Sequence, residues 1–300
     1  MYQILFFGFI RRELIIINLL ELDKYPWWQL LGSKLSLYVG MIVVIILSFF
    51  ICKKHGISKI STLLFILLGY SGGIYCAKLM GDLYSKVSMM FGGGRSNVAI
   101  FGVVVGLPFV LIFVSLITGK KWRNITDLFA PGAFLGLAFS KFGCFLSGCC
   151  PGIECKFGIY NNLLDKVVFP SQICESITMV FVVVFSFWYS LKYKKRISGS
   201  AYPVTAMVYV TTRFFWEFLR YYDIDKMKHL LFGLSFWQLW CIAVFVLSVI
   251  WLYILKIPKL AEYEEKYYSW HTKQTELLKN MIFKSKAVET AEEVTEENKA

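Results

Sequence analysis

The sequence predicts an all-α polytopic membrane protein with seven transmembrane helices, its N-terminus outside and its C-terminus in the cytoplasm. Of the residues, 57% are hydrophobic and 17% are charged, a balance that excludes an ordinary soluble domain. The apolar residues also fall into runs of roughly 20, the length that an α-helix needs to cross a bilayer. The predicted spans cover about 35–52, 60–83, 97–118, 125–148, 173–191, 200–220 and 231–255.

The basic residues between the spans predict the orientation. The loops after the first, third and fifth spans carry three or four Lys or Arg each, whereas the intervening loops carry about two. Cytoplasmic loops carry the excess of basic residues, which places the first set of loops inside the cell. The net charge of +12 comes from these short clusters, so the sequence indicates a lipid bilayer and no nucleic acid as its partner.

The chain divides into three regions. Residues 1–34 are expected to form a surface or interfacial N-terminal arm, since Arg11-Arg12-Glu13 interrupt the apolar run and exclude a spanning helix there. Residues 35–255 form the seven-helix transmembrane domain. Residues 256–300 are a cytoplasmic tail, with a helix on the inner face over about 260–285 and Glu-rich disorder expected from Ala287.

The fourth span combines small residues with a cation. Gly132, Gly136 and Ser140 recur every four residues, the spacing that lets another membrane helix approach closely. Lys141 follows inside the apolar span, where an ionisable residue costs several kcal/mol and is by default a functional candidate. A Lys whose ammonium reaches the membrane surface is the alternative, and the span alone leaves both interpretations open.

The sixth span carries three charges on one face. Arg213, Glu217 and Arg220 stand at i, i+4 and i+7. With Lys141 and Lys78, they place four cations and one carboxylate in the outer half of the membrane, where cations are ordinarily fewer. An ion pair between helices explains Arg213 with Glu217 and leaves the other cations unexplained. Binding of a phosphate or a phospholipid headgroup explains the whole set.

Five motifs along the chain carry a family resemblance. They are Ala77-Lys78-Leu79, Asp127 to Ala130-Pro131 with Lys141-Phe142-Gly143-Cys144-Phe145, Phe169-Pro170-Ser171-Gln172-Ile173-Cys174-Glu175, Arg213-Phe214 to Arg220, and Gly233-Leu234-Ser235 to Gln238. In this order, on a matching set of spans, they resemble the prolipoprotein diacylglyceryl transferases. Those bacterial enzymes move a diacylglyceryl group from phosphatidylglycerol onto a lipobox cysteine.

The resemblance implies a function and a set of site residues. It implies transfer to the lipobox thiol in lipoprotein biosynthesis, in a bacterial plasma (inner) membrane, with phosphatidylglycerol and prolipoprotein signal peptides as partners and no cofactor. Lys141, Arg213 and Glu217 are the implied catalytic residues. The implied substrate-binding residues are Lys78, Gly143, Cys144, Ser147, Gly148, Gln172, Glu175, Arg220 and Gln238.

The chain departs from the family at several positions. Lys141 and Lys78 stand where the family has Arg. The positive charge is kept, but a Lys cannot bind a phosphate with two parallel hydrogen bonds as an Arg can. The motif HGGLIG corresponds to a stretch that begins with Phe101 and lacks the His. His55, His229 and His271 fall in loops or the tail, which leaves the general base open, with Glu217 as the remaining candidate.

Two further questions stay open in the sequence. The cysteines Cys144, Cys149, Cys150 and Cys155 have no accompanying His, so helix packing or a disulfide is expected and no metal site. The alternatives to the transferase reaction are a divergent paralogue with another acceptor and a non-catalytic phospholipid-binding or transport protein.

Overall fold

The computed structural model describes residues 27–92, 99–161, 164–192, 195–222 and 228–297, and these residues are mostly helical. The helices are α1 (Trp27–Lys54), α2 (Lys59–Met90), α3 (Ile100–Thr118), α4 (Trp122–Leu146), α5 (Ser171–Phe187), α6 (Ala201–Trp216), α7 (Phe236–Leu255) and α8 (Pro258–Glu297). A π-helical turn, Trp188–Lys192, extends α5, and a 3-10 turn, Glu217–Leu219, extends α6. A short antiparallel hairpin of β1 (Glu154–Asn161) and β2 (Lys166–Val168) lies between α4 and α5.

Among the described residues, six helices are long and apolar enough to cross a membrane. They cover Lys34–Lys54, Lys59–Met90, Ile100–Thr118, Trp122–Leu146, Ser171–Lys192 and Phe236–Leu255. The chain is therefore a multi-pass membrane protein built from α-helices. The predicted span over about 200–220 corresponds to α6, whose 16 residues extend about 24 Å, somewhat less than the hydrocarbon core of a bilayer. The seventh crossing and the orientation stay predictions.

At both ends of the predicted transmembrane domain, the described residues continue as helix. Residues 1–26 of the predicted arm lie outside the described residues, and α1 begins at Trp27, within the remainder of that arm. At the other end, α8 is one helix of 40 residues through Glu297, whereas disorder was expected from Ala287. The tail is rich in Ala, Glu and Lys, which have high helix propensity.

The small-residue face of α4 packs against α1, as its spacing predicts. A Cβ placed on Gly132 would lie 3.3 Å from the side chain of Val44, and one on Gly136 would lie 3.9 Å from it. Near the start of α1, the hydroxyl of Ser36 donates a hydrogen bond of 2.9 Å to the carbonyl of Phe139 on α4. The helix that carries Lys141 is therefore fixed along its length by α1.

A close helix contact joins α2 and α3. A Cβ on Gly102 would lie 2.1 Å from the carbonyl oxygen of Cys76, and one on Gly106 would lie 2.2 Å from its Sγ. The amide of Ala99 also donates a 2.9 Å hydrogen bond to the carbonyl of Ala77. Only glycine leaves room for this approach, because any side chain at these two positions would occupy the space of α2.

The start of α6 is capped by a carboxylate from α4. The two oxygens of Asp127 accept hydrogen bonds of 2.7 Å from the amides of Gly199 and Ala201, and Asp127 also pairs with Arg196. The amide of Ala201 has no partner within α6 because a helix leaves its first N–H groups unsatisfied, and Gly199 lies just before the N-cap residue, Ser200. The acid that opens the fourth span thus positions the helix that carries Arg213.

An extended segment ties the opposite end of α6 to the hairpin region. The amide of Gly152 donates to the carbonyl of Phe169 at 3.1 Å, and the amide of Ile153 donates to the carbonyl of Leu219 at 3.0 Å. A Cβ on Gly152 would lie 2.4 Å from the Phe169 oxygen, so the two backbone segments meet without space for a side chain at Gly152. These bonds hold the ends of α4 and α6 and the start of α5 together.

Candidate functional site

Glu175, in the second turn of α5, is the centre of a buried ion-pair network. Its Oε2 lies 2.5 Å from the Nζ of Lys141 on α4, and its Oε1 accepts a 3.0 Å hydrogen bond from the guanidinium of Arg213 on α6. All three side chains are less than a tenth exposed. One carboxylate therefore joins three helices at one point inside the bundle.

Glu217 forms the second half of the network. It pairs with Arg213, the residue one helical turn earlier, and the guanidinium of Arg220 lies 3.7 Å from the same oxygen, Oε2. The hydroxyl of Tyr222 donates a hydrogen bond to the other oxygen. The ion pair that the helical spacing of Arg213 and Glu217 indicates is thus present, and Arg213 bridges the two carboxylates. We call Lys141, Glu175, Arg213, Glu217 and Arg220 the ion-pair cluster.

The ion-pair cluster carries an excess of positive charge. Its three cations face two carboxylates, which leaves one formal positive charge in a site that is almost completely buried. A buried charge without a counter-ion is unfavourable, so this arrangement favours one further anion, which a bound ligand or the ionised thiol of the neighbouring Cys150 can supply. Its Arg and Lys side chains are the groups that bind phosphate by charge-assisted hydrogen bonds.

The structure distinguishes the predicted cations from one another. Lys141 is 6% exposed and its ammonium contacts Glu175, so it does not extend to the membrane surface. Arg213 and Arg220 join the same cluster. Lys78, in contrast, lies on an exposed position of α2. Three of the four cations therefore lie together inside the bundle, as expected, and Lys78 lies at the surface.

The other predicted substrate-binding residues support the backbone around the cluster. The side chain of Gln172 donates a 2.7 Å hydrogen bond to the carbonyl of Cys149, and Ser147 donates to the carbonyl of Cys144 at 3.1 Å. Gly148 has a φ of 68°, in the left-handed region that favours glycine, where the chain turns away from α4. These contacts fix the loop that leaves α4 against the first turn of α5.

Gly143 and Gln238 are both buried. Gly143 lies in the last turn of α4, where its carbonyl accepts the amide of Ser147 at 3.0 Å. Gln238 completes a capping box with Ser235 at the start of α7, and its Nε2 donates to the carbonyl of Phe214 at 3.5 Å. Gln238 thereby links α7 to the turn of α6 that carries Arg213.

Three cysteines form a thiol cluster beside the cations. Cys150 has a φ of 57°, an unusual value for a residue with a side chain, and it follows the turn at Gly148. Hydrogen bonds from Cys144 and Cys149 hold the pKa of the Cys150 thiol well below its ordinary value. Burial opposes this shift, and the positive charges of Arg220 and Lys141 add to it.

The structure gives no support to a metal or a disulfide at the cysteines. All eight cysteines are free thiols, and the described ranges contain no group of His, Cys, Asp and Glu arranged to hold a metal ion. Cys155 lies apart from the thiol cluster, since its thiol donates to the carbonyl of Phe157 within the hairpin at 3.3 Å. The disulfide considered for Cys155 is therefore absent, whereas packing of the other three thiols is observed.

Phe101, the first residue of the stretch that was compared with the HGGLIG motif, belongs to an aromatic stack. Its ring lies 5.4 Å from that of Trp237 at an interplanar angle of 12°, and 6.2 Å from that of Tyr209. Trp237 is stacked in turn on Tyr84, with ring centroids 4.9 Å apart. Phe101 is 4% exposed. Packing of the rings thus occupies the space around this position, and Phe101 has no group that accepts a proton.

The three histidines lie away from the ion-pair cluster. His55 is exposed in the turn after α1, His229 is exposed and contacts the carbonyl of Gly233, and His271 contacts the carbonyl of Ile117 from α8. Sequence reasoning missed Tyr222, for which the sequence offered no signal. It placed Glu175 among the substrate-binding residues through a motif, without its pairing to Lys141 and Arg213.

Comparison with known proteins agrees with the motifs. The family model described as prolipoprotein diacylglyceryl transferase matches residues 34–254. The phosphatidylglycerol–prolipoprotein diacylglyceryl transferase 2 of Clostridium perfringens is 30% identical over 171 residues, which cover 53% of this chain and 65% of that protein. The transferase of Clostridium tetani is 29% identical over 214 residues, covering 64% of this chain and 84% of that protein.

The matched region contains every member of the ion-pair cluster and ends before α8. In the first of these relatives, slightly less than two thirds of the protein is covered. The family model nevertheless spans well over half of this chain. The chain belongs to the prolipoprotein diacylglyceryl transferase family.

Proposed function

We propose that the protein transfers the diacylglyceryl group of phosphatidylglycerol to the cysteine thiol of a prolipoprotein lipobox, in the plasma (inner) membrane of a bacterium. The observation that supports this most strongly is the buried excess of positive charge around Glu175 and Glu217. Phosphatidylglycerol is a monoanion, so one headgroup phosphate would neutralise the ion-pair cluster. The partners of the reaction are this lipid and the signal peptide of the prolipoprotein.

The proposed topology has seven spans, with the N-terminus outside and the C-terminus in the cytoplasm. In this arrangement α6 and its 3-10 turn form the sixth crossing in chain order, in addition to the six apolar helices, and the basic loops after α1, α3 and α5 face the cytoplasm. The ion-pair cluster then lies toward the outer leaflet. This is the side on which the lipobox of an exported protein is available.

The reaction requires one substitution at a glycerol carbon. The lipobox thiolate attacks the carbon that carries the phosphate ester, so that a C–S bond forms and the C–O bond breaks. The bonding electrons leave with the oxygen, and glycerol phosphate is released. Lys141, Arg213 and Arg220 are proposed to bind the phosphate and stabilise the charge that develops on it. Each of these three cations already lies in the ion-pair cluster.

We propose that this chain needs no general base in the protein. Glu217 is engaged by Arg213, Arg220 and Tyr222, so its carboxylate is assigned to positioning the cations. A cysteine thiol with a pKa of about 8.5 is a few per cent ionised at neutral pH and is strongly nucleophilic in that form. The proton therefore leaves to water, and the cations supply the rest of the catalysis.

The remaining predicted residues have supporting roles in this proposal. Gln172, Ser147 and Gly148 fix the loop after α4, and Gly143 and Cys144 place its last turn beside Lys141. Gln238 holds α7 against α6. The exposed Lys78 is proposed to contact the lipid headgroup from the surface of α2.

The aromatic stack at Phe101 favours a second candidate, a non-catalytic phospholipid-binding protein. The buried cluster of Lys141, Arg213 and Arg220 supports the first candidate, the diacylglyceryl transferase. A divergent enzyme with another acceptor would keep the lipid site and reject the lipobox. The three candidates differ in whether a thioether forms on a lipobox peptide.

Complementation of cells depleted of their own transferase tests the proposal. The wild-type chain should restore growth and remove accumulated prolipoprotein, and Arg213→Gln should restore neither at equal membrane levels. Lys166→Gln is the matched control, because this cation also pairs with a carboxylate, that of Glu154, but in the exposed hairpin. Phospholipid binding by the purified protein without any rescue would favour the non-catalytic candidate.

A further inference from the structure

The C-terminal helix α8 is anchored to the turn between α3 and α4. Glu264 lies 2.6 Å from the guanidinium of Arg123, and the hydroxyl of Tyr268 accepts a 2.9 Å hydrogen bond from the amide of Trp122. His271 contacts the carbonyl of Ile117 at 3.3 Å. These three residues recur every three or four positions, so they share one face of α8. The helix is thereby held against the end of the membrane bundle.

A neighbouring face of α8 is apolar and exposed. Tyr263, Trp270, Leu277 and Met281 lie within about 40° of one another at 3.6 residues per turn. Their exposed fractions are 70%, 56%, 47% and 59%, respectively. The anchored residues are centred about 120° away on the same helix, so docking against the bundle leaves this face uncovered. We call these four residues the aromatic face of α8.

Basic residues flank the aromatic face, and acidic residues lie behind it. Lys259, Lys266 and Lys273 recur every seven positions along one edge of the face, and all three are exposed. Lys266 pairs with Glu262 at 2.8 Å. The acids Glu265 and Glu276 lie on the far side of the helix, more than about 130° from Tyr263. Charge and apolarity are therefore segregated around the helix axis.

The combination of aromatic rings with adjacent Lys side chains indicates which surface the aromatic face of α8 binds. Helices that lie in a membrane interface present Trp, Tyr and Leu to the lipid and Lys beside them to anionic headgroups. The anchoring contacts place α8 beside the α3–α4 turn, where the chain passes from one membrane helix to the next. An acidic protein partner would match the Lys edge but not the adjacent aromatic rings at a membrane boundary.

We propose that the aromatic face of α8 binds the anionic phospholipid surface of the leaflet on its own side of the membrane. Tyr263 and Trp270 enter the headgroup region, and Lys259 and Lys273 pair with lipid phosphates. The proposal is independent of the transfer reaction, because α8 lies outside the matched family region and contains no member of the ion-pair cluster.

Photo-crosslinking in lipid nanodiscs tests the proposal with the full chain. A benzoylphenylalanine is introduced at Trp270, on the aromatic face, or at Glu265, on the far side of α8. Nanodiscs contain either phosphatidylcholine alone or a mixture with phosphatidylglycerol. We expect lipid adducts at position 270 and few at 265, with a several-fold higher yield in the anionic mixture. Lys259→Gln with Lys273→Gln should remove that increase.

Three results would overturn the proposal. Equal lipid adducts at positions 270 and 265 would mean that the face has no preference for the membrane. An adduct of position 270 to a second copy of the chain would identify a protein interface instead. A lipid yield that is the same in both nanodisc compositions would exclude recognition of anionic headgroups. Both replaced positions are exposed, so folding of the transmembrane domain does not depend on them.

Discussion

The ammonium of Lys141 and the carboxylate of Glu175 lie 2.5 Å apart in the interior of the bundle and join α4 to α5. The second oxygen of the same carboxylate binds Arg213, so α6 is attached at the same point. One side chain thus fixes the relative positions of the two cations that we assign to the lipid phosphate. The stability of the fold and the geometry of the proposed site therefore depend on the same contact.

The first prediction concerns the removal of this carboxylate charge. Glu175→Gln should lower the free energy of unfolding by about 3–5 kcal/mol, because Lys141 and Arg213 would stay buried without their counter-ion. Thermal unfolding of the purified protein in detergent measures this. Glu154→Gln, which removes an exposed partner of Lys166, should change stability by less than about 0.5 kcal/mol. Equal effects of the two variants would show that the buried network is not structurally important.

A second prediction addresses Phe101. Phe101→His should not accelerate diacylglyceryl transfer, because the ring is stacked on Trp237 and contacts Tyr209. It should lower stability, since a polar ring replaces a buried apolar one. Phe101→Leu, which loses the aromatic stacking but stays apolar, should cost about 1 kcal/mol from the ring interactions. A transfer rate that rises about a hundredfold or more in the His variant, a gain of the size that a general base supplies, would contradict the base-free account.

A third prediction separates two glycines in membrane helices. Gly102→Ala should lower stability by about 1–3 kcal/mol because the new methyl group would overlap the carbonyl of Cys76. Gly136→Ala should be close to neutral, since its Cβ would lie 3.9 Å from Val44, an ordinary contact distance. Membrane levels and unfolding temperatures of both variants measure the difference. If Gly136→Ala were the more damaging change, the packing described for α2 and α3 would be wrong.

A fourth prediction uses the titration of Cys150. Its pKa is lowered by hydrogen bonds from Cys144 and Cys149 and by the charges of Arg220 and Lys141. A lowered pKa means that the thiolate persists below the ordinary thiol range. An ordinary thiol has a pKa of about 8.5. The alkylation rate of Cys150, followed by mass spectrometry, should therefore reach half its maximum at a pH below that value.

Arg220→Gln should move this midpoint to higher pH, because it removes one of the charges that favour the thiolate. Cys150→Ser identifies the labelled peptide and serves as the control for its assignment. A midpoint at or above the ordinary thiol value in the wild-type chain would refute the proposed arrangement of the thiol cluster.

Sequence patterns predicted those features that depend on residues close together in the chain. The spacing of Arg213 and Glu217 on one helix face indicated their ion pair, which is present. The four-residue repeat of Gly132 and Gly136 indicated the close approach of another helix, which proves to be α1. Family membership also followed from the order of short motifs.

Contacts between segments that are far apart in the chain could not be predicted from the sequence. Nothing local signals that Glu175 meets Lys141 and Arg213, because their contact depends on how α4, α5 and α6 pack. The capping of α6 by Asp127 has the same origin. The β1–β2 hairpin was also missed: Cys155, Phe157 and Ile159 alternate with Glu154, Lys156 and Gly158 along β1, but β2 has three residues and the whole hairpin lies in a loop between two predicted spans.

The rate of diacylglyceryl transfer as a function of pH tests the central claim most directly. Purified protein in phosphatidylglycerol vesicles is given a lipobox peptide, and thioether product is measured between pH 6.5 and 9, with a Cys-to-Ser peptide as the control. We predict slow transfer whose rate rises about tenfold per pH unit until the acceptor thiol ionises near its pKa of about 8.5. No transfer at any pH would contradict the assignment as a transferase, and a rate that stays constant across the ionisation of the thiol would contradict the base-free mechanism.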